Sequence, residues 1–358
     1  MKKSLLLFLV FLLVLFTAAC GNEASQTETT QEKDDTLQVY TTVYPLQYFT
    51  QRIGGEAVNV QSIYPAGANE HTFEPTQKDM IALADADLFF YIGLGLEGFV
   101  DNAKKTLADE HVKMIATIDA VPEDQLNASD HDHEHEEATE EAHEHEHDEA
   151  TEEAQEHEHE EATEEAHEHE HEEAAEEGHE GHDHGDTDPH VWISPKISQN
   201  LALSIKNSLV EAAPKEKETF EKNYEQLIEE LQKLDQDFEE MAKEVPNKTF
   251  FVSHAAFGYI ANTYGLEQIA VAGLNSQDEP SQKELTKLID LANEKNIKYI
   301  LFEQNVSSKL TEVIQQEVGA ESLVLHNLGV LSKEDLANNE TYFTLMQRNL
   351  DTLRTVLQ

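Results

Sequence analysis

The sequence predicts an α/β protein of two lobes, in which parallel sheets are flanked by helices and the lobes are joined by one long rigid helix. Short apolar runs alternate with helical stretches over residues 37–118 and again over residues 249–325, which is typical of parallel strands separated by crossover helices. Between these regions the periodicity is mainly helical. The chain has 358 residues, 39% of them hydrophobic, which is enough for two such cores.

The N-terminal lobe is placed at residues 37–195. Its first helix should stop at Gly54-Gly55, because glycine favours backbone conformations outside the helix. Strands are predicted at Leu37 to Val43, Val58 to Tyr64, Leu88 to Ile92 and Val112 to Ile118, and helices at Tyr48 to Ile53, Lys78 to Ala84 and Gly98 to Leu107.

Residues 196–246 are predicted to link the lobes as helices. The first helix should run from Pro195 to Ala212 and the second from Pro214 to about Val245. In the second, apolar side chains recur at spacings of three and four residues, at Phe220, Tyr224, Leu227, Leu231, Leu234, Phe238 and Met241. A helix of about 30 residues is about 45 Å long, so we expect it to span the full height of the molecule.

The C-terminal lobe is placed at residues 247–358, where the alternation of strands and helices resumes. Strands are predicted at Thr249 to Ser253, Leu266 to Val271, Tyr299 to Phe302 and Ser322 to Leu325, and helices at Ala255 to Tyr264, Glu284 to Asn293, Leu310 to Val318 and from Tyr342 onward. Ligands of open parallel sheets bind beyond the carboxyl ends of the strands. A cleft between the lobes is therefore the expected site.

The start of the chain is typical of a secreted lipoprotein. Lys2 and Lys3 precede a short apolar run, which predicts a signal peptide at residues 1–19. Small residues lead into Cys20 as in a bacterial lipobox, although Thr17 stands where that motif usually has leucine. We expect Cys20 to carry lipid on the outer face of the cell membrane, with residues 20–36 as a flexible tether. The alternative is plain secretion with Cys20 as a free thiol.

The charge excludes some functions and is concentrated in one segment. The 24 Lys and Arg face 73 Asp and Glu, for a formal net charge of −49, whereas nucleic-acid binding needs a basic surface. A single Cys cannot form an intrachain disulfide. Residues 130–188 contain 29 of the acidic residues, so the charge describes an insertion rather than the fold.

That insertion is a His- and Glu-rich repeat with a period of 12 residues, and 14 of the 19 histidines lie between His131 and His184. With alanine as its main apolar residue it cannot bury enough surface to fold alone, so we expect a disordered loop over residues 128–187. Imidazoles interspersed with carboxylates suit zinc, copper and nickel. The alternative is an acidic spacer whose histidines are incidental.

Three of the five remaining histidines follow strands or lie in loops that would open into the cleft. His71 lies in the loop after the second strand, His190 precedes a helix, and His254 comes directly after an apolar strand. Any one of them alone would be uninformative, but three that converge would be explained by a metal. His111 and His326 are interpreted as structural.

At these residues the chain resembles the metal-binding lipoproteins that serve ABC transporters, and within them the ZnuA/AdcA-like zinc receptors. The segments that carry the resemblance are Gly67 to Pro75, Asp188 to Trp192, Phe251 to Tyr259 and Phe302-Glu303. A His-rich loop between the first two of these segments is also similar to the zinc branch. The resemblance implies two lobes linked by a rigid helix with the metal between them.

The resemblance also implies a ligand set, with His71, His190 and His254 supplying one nitrogen each. Manganese-preferring relatives have a carboxylate at the third position, so His254 favours zinc. Glu303 is the implied fourth ligand, with Glu70 and a water as alternatives. Asp188 and Glu279 are conceivable hydrogen-bond partners of the imidazoles.

We therefore expect an extracytoplasmic, monomeric receptor that binds Zn²⁺ as a transported ligand and delivers it to an ABC permease, without chemistry on the metal. A zinc hydrolase is a second hypothesis, because three histidines and an exchangeable ligand can activate water. Against it, none of the predicted helices carries an HExxH motif, and the sequence has no nucleophile elbow of Gly-x-Ser-x-Gly form. A third hypothesis is a metal-sequestering or adhesin lipoprotein in which the repeat is the active part.

Overall fold

The computed structural model describes residues 36–126, 187–305 and 308–358. The predicted signal peptide, Cys20, most of the tether and the repeat at 128–186 lie outside these residues. Within them, two four-stranded parallel sheets have the same order of strands: in each lobe the first strand lies between the second and the third, and the fourth lies beyond the third. The predicted fold class, two α/β lobes and one long helix, is confirmed.

The N-terminal lobe forms each predicted element, with shorter strands than expected. The strand Leu88–Tyr91 is buried along its whole length, as a central parallel strand covered by helices on both faces should be. The strands are β1 Leu37–Thr41, β2 Val58–Ser62, β3 Leu88–Tyr91 and β4 Lys113–Ala116, and the helices are α1 Tyr44–Gly54, α2 Gln77–Ala84 and α3 Val100–Thr106.

The linking helices are α4, Pro195–Ala212, and α5, Lys217–Glu244. Helix α5 begins three residues later than predicted because Pro214–Glu216 form a separate 3₁₀ turn. Its 28 residues correspond to about 42 Å. Apolar side chains on one face of α5 are buried, and the helix packs against α4 and α1. This packing joins the long helix to the N-terminal lobe.

The C-terminal lobe contains one helix that was not predicted and one that starts late. Helix α6 begins at Gly258 rather than Ala255, because the Ala255 amide donates to the Gly273 carbonyl and extends the sheet instead. The helix that was not predicted, Lys333–Ala337, is short and begins with a reciprocal cap between Ser332 and Asp335. The strands are β5 Thr249–His254, β6 Glu267–Ala272, β7 Tyr299–Phe302 and β8 Glu321–Val324, and the helices are α6 Gly258–Tyr264, α7 Gln282–Glu294, α8 Lys309–Val318, α9 Lys333–Ala337 and α10 Tyr342–Val356.

The main hydrophobic core is continuous from one lobe to the other. It includes Phe89 of the first sheet, Leu231 of α5 and Phe250 of the second sheet, so the lobes and the long helix share a single buried cluster. A second, smaller cluster lies around Phe251 and Ile300 in the C-terminal lobe. In the part of the chain that the structure describes, none of the helices is both long and apolar enough to cross a membrane.

Candidate metal centre

The three predicted histidines converge between the lobes. His71 lies in the loop after β2, His190 immediately precedes a 3₁₀ turn at Val191–Ile193, and His254 ends β5. One ring nitrogen from each lies within 4.8 Å of the others, and the Nε2 atoms of His71 and His190 are 3.1 Å apart. Nitrogen atoms grouped this closely form a cage of the size that one metal ion needs.

His71 is held by its own loop. Its backbone N–H donates to Asn69 Oδ1 over 2.9 Å, which fixes the turn that presents the imidazole. Burial, and then the proximity of His190 and His254, lowers the pKa of His71 to about 2. His71 is therefore neutral at physiological pH and has a nitrogen lone pair available for a metal.

His190 is fully buried and is oriented by Asp188. The Asp188 Oδ1 atom lies 2.7 Å from His190 Nδ1 and also accepts the backbone N–H of His190. This contact directs Nε2 toward His71, as outer carboxylates do for metal-bound imidazoles. Gly258 makes the arrangement possible, because a Cβ atom there would lie 2.7 Å from Asp188 Oδ2. The predicted partnership between Asp188 and a histidine is present.

His254 is in the opposite electrostatic situation. Burial alone would lower its pKa, but the charge of Glu303 and its hydrogen bond, helped by the Leu274 carbonyl and by Glu70, raise the pKa to about 9. Both Glu303 oxygens are 3.2 Å from His254 Nδ1, and the Leu274 oxygen is 2.9 Å from Nε2. His254 is therefore protonated at neutral pH and must lose that proton to bind a metal.

The two candidate carboxylates lie beside the cluster and share one neighbour. Among the described residues, the set of donor atoms within 4.8 Å of one another comprises the three histidines, while Glu303 contacts His254. Glu70 is 3% exposed, and burial, followed by the charge of Glu303, raises its pKa. The Asn327 side chain donates to both carboxylates. Glu303 therefore contacts the cluster directly, and Asn327 connects Glu70 to Glu303.

The other predicted residues lie outside the cluster. His326 is buried, with its Nε2 3.2 Å from Asp335 and its Nδ1 accepting the Leu328 N–H, so it is structural as predicted. His111 is exposed before β4, and Glu279 is exposed in the loop after β6.

Sequence reasoning missed several groups that build the centre. The backbone carbonyls of Leu274 and Asn327 accept from the His254 ring and the Trp192 indole, and carbonyls carry no sequence signal. Gly258 lies inside a recognised motif, so its position was visible although its contact with Asp188 was not. Asn327 had no motif around it.

A cluster of three imidazoles, two of them buried, between two α/β lobes is the architecture of a metal-binding receptor rather than of a nucleotide or nucleic-acid site. The chain matches over residues 39–356 the family described as zinc-uptake complex component A, periplasmic. It belongs to that family.

Named relatives agree with this assignment. The chain is 35% identical over 356 residues to the high-affinity zinc uptake system protein ZnuA of Bacillus subtilis, covering 99% of this chain and 98% of the relative. It is 34% identical to the zinc-binding lipoprotein AdcA of Streptococcus pneumoniae, covering 98% of this chain and 60% of AdcA. The crystal structure of Zn(II)-bound AdcA from that organism superposes with a TM-score of 0.65 at 30% identity, covering 90% of this chain and 58% of that one.

Proposed function

We propose that this protein is an extracytoplasmic receptor that binds Zn²⁺ with high affinity and delivers it to an ABC permease for zinc uptake. The observation that carries the proposal is the convergence of His71, His190 and His254 between the lobes. The zinc-uptake family and the names of the relatives support it. The metal is cargo, so no chemical step on it is required.

The donor set favours zinc over harder cations. Three imidazoles suit zinc at a nitrogen distance of about 2.0 to 2.1 Å, whereas manganese, magnesium and calcium prefer carboxylate and carbonyl oxygens. Glu303 is the proposed fourth ligand, because it lies at the end of β7 and already contacts His254. A rotation that moves its carboxylate from the ring to the metal would close the coordination shell with one ligand from each of four segments.

The protein is proposed to be anchored at the outer face of the membrane through lipid on Cys20, with residues 20–36 as the tether. The lipoprotein name of AdcA supports this location. Radiolabelled palmitate should be incorporated into the wild type but not into Cys20→Ser, and the variant should appear in the medium. Equal labelling of both proteins would show that Cys20 is not the lipidated residue.

The hydrolase and adhesin hypotheses are not favoured, because the family and the relatives named above are zinc-uptake and zinc-binding proteins. The receptor and hydrolase hypotheses predict different activities of the zinc-loaded protein toward an activated ester. A zinc-loaded hydrolase would cleave an activated ester at a rate abolished by His71→Ala, whereas a receptor shows no such difference. Zinc-limited growth should require the protein and its three histidines, and growth that is independent of them would refute the proposed function.

A further inference from the structure

Asn327 occupies the point where the segments that carry the metal donors meet. Its side chain is 1% exposed, and it follows β8 in the C-terminal lobe. Its Nδ2 atom donates to Glu70 Oε1 over 2.9 Å and to Glu303 Oε2 over 2.7 Å. The two N–H bonds of one amide are therefore shared between a carboxylate of the N-terminal lobe and a carboxylate of the C-terminal lobe.

The orientation of this amide is determined by its neighbours. Asn327 Oδ1 accepts the backbone N–H of Gly329 over 3.0 Å, so the nitrogen must face the carboxylates. Glu70 is brought close by Gly329, where a Cβ atom would lie 2.5 Å from Glu70 Oε1. The main-chain carbonyl of Asn327 also accepts the Trp192 indole N–H over 2.7 Å, two residues beyond His190. One residue thus contacts the loops of His71 and His190 as well as Glu303.

We propose that Asn327 is a positioning residue that limits how many carboxylate oxygens reach the metal and thereby keeps the centre selective for zinc over manganese. The inference rests on the proposed three-histidine zinc site. Three imidazoles and one oxygen suit zinc, but both carboxylates turned toward the ion would give the oxygen-rich, higher-coordinate shell that manganese prefers. The hydrogen bonds from Asn327 restrain Glu70 Oε1 and Glu303 Oε2, so each carboxylate keeps only one oxygen without this restraint.

A substitution that removes the two N–H donors of the Asn327 side chain but keeps its volume tests this role. In Asn327→Leu, both carboxylates lose an N–H partner and become free to approach the metal. Because hydrogen bonds to charged groups are among the stronger ones, we expect the ratio of Mn²⁺ to Zn²⁺ dissociation constants to fall by about tenfold or more. Glu70→Gln removes one of the two carboxylates that Asn327 restrains, so Asn327→Leu should change the ratio clearly less in a protein that already carries Glu70→Gln.

Trp192 provides a readout confined to the cleft. It is the only tryptophan of the chain, and its ring centroid lies 5.3 Å from that of His190, so its fluorescence in the full-length protein distinguishes this centre from the His-rich repeat. The experiment titrates the wild type and each variant with ZnCl₂ and displaces the zinc with MnCl₂. Asn349→Leu is the matched control, because Asn349 is also 1% exposed and bonds the His326 backbone without touching either carboxylate.

We expect the ratio of Mn²⁺ to Zn²⁺ dissociation constants to be lower in Asn327→Leu and unchanged in Asn349→Leu. When Asn327→Leu is combined with Glu70→Gln, the ratio should change by less than it does in Asn327→Leu alone. An unchanged ratio in Asn327→Leu, with zinc binding still abolished by His71→Ala, would overturn the inference and leave the zinc site intact. If His71→Ala retained the zinc response, the proposed site itself would fall. Should Asn327→Leu not fold by circular dichroism, Asn327→Asp keeps the side-chain shape and must show the same lowered ratio.

Discussion

The two lobes have the same strand order, yet they contribute different halves of the metal centre. In the N-terminal half, His71 is held by a short loop, and burial lowers its pKa to about 2. In the C-terminal half, Glu303 raises the pKa of His254 to about 9. The repeated topology brings donors to one cleft, whereas the residues of each loop decide whether a donor is neutral or protonated.

The largest expected effect is the loss of a histidine from either half. His71→Ala, His190→Ala and His254→Ala should each weaken tight zinc binding by more than the roughly 100-fold that the loss of an outer partner costs, because a coordinating nitrogen is removed. Titration against a competing chelator, in a protein lacking residues 130–185, measures this effect. Unchanged affinity in two of the three variants would exclude the site.

The two candidate carboxylates sharpen the comparison between lobes. Glu303→Gln should reduce zinc affinity roughly 10–100-fold and Glu70→Gln by less, because Glu303 contacts His254 and Glu70 is held by Asn327. The same competitive titration compares them. A larger loss in Glu70→Gln would assign the fourth position to the N-terminal lobe.

A backbone change tests how His190 is oriented. Gly258→Ala places a Cβ atom against Asp188 and should weaken zinc binding about 10–100-fold, because the outer partner of His190 is displaced. Gly98→Ala is the control, since a Cβ atom at Gly98 has no neighbour within 4 Å among the described residues. Equal affinities for the two variants would show that the Asp188 contact does not orient the ligand.

The opposite protonation of His71 and His254 predicts a dependence of zinc affinity on pH. His254 binds a proton below about pH 9, whereas His71 does not between pH 5 and 9, so zinc must displace a proton from His254 and none from His71. Affinity should rise about tenfold per pH unit up to that value. Calorimetry in buffers of different ionisation enthalpy counts the released protons. Because Glu303 raises the pKa of His254, Glu303→Gln should move the rise in zinc affinity to lower pH. Release of no proton at pH 7.5 would contradict this description.

Deletion of the repeat should have the smallest effect on the cleft. The many like charges of the repeat repel one another, so we expect it to bind zinc weakly and to lose it on mild acidification before the cleft does. Removing residues 130–185 should leave the tight affinity nearly unchanged, reduce the number of weakly bound ions and slow growth only under zinc starvation. Zinc-limited uptake that is identical with and without the repeat would reject this division of labour.

Local patterns were sufficient for most of the fold. Strand β7 at Tyr299–Phe302 and helix α4 at Pro195–Ala212 match their predictions. The signals that predict them, an apolar run for the strand and a proline at the start of the helix, each lie within a few neighbouring residues. The predicted start of α6 at Ala255 was wrong, because the Ala255 amide donates its hydrogen bond to the carbonyl of Gly273, which is distant in the sequence. The short helix α9 has too few residues for a periodic signal.

The candidate site was predictable only as far as single residues reveal their chemistry. Histidines at a strand end or in loops that open into a cleft indicate a metal from their type and position, and the structure brings all three together. Asn327 gave no such signal, because its partner Glu70 is 257 residues away in the chain and an isolated asparagine has no preferred chemistry. Contacts between lobes require the fold itself.

The central claim is that one zinc ion is held by three imidazoles drawn from both lobes. X-ray absorption at the zinc edge of the protein lacking residues 130–185, loaded with one equivalent of zinc, tests this claim most directly. The account predicts three imidazole nitrogens at about 2.0 to 2.1 Å with one oxygen ligand and no sulfur. A shell containing one imidazole or none, with oxygen atoms in the remaining positions, would contradict it.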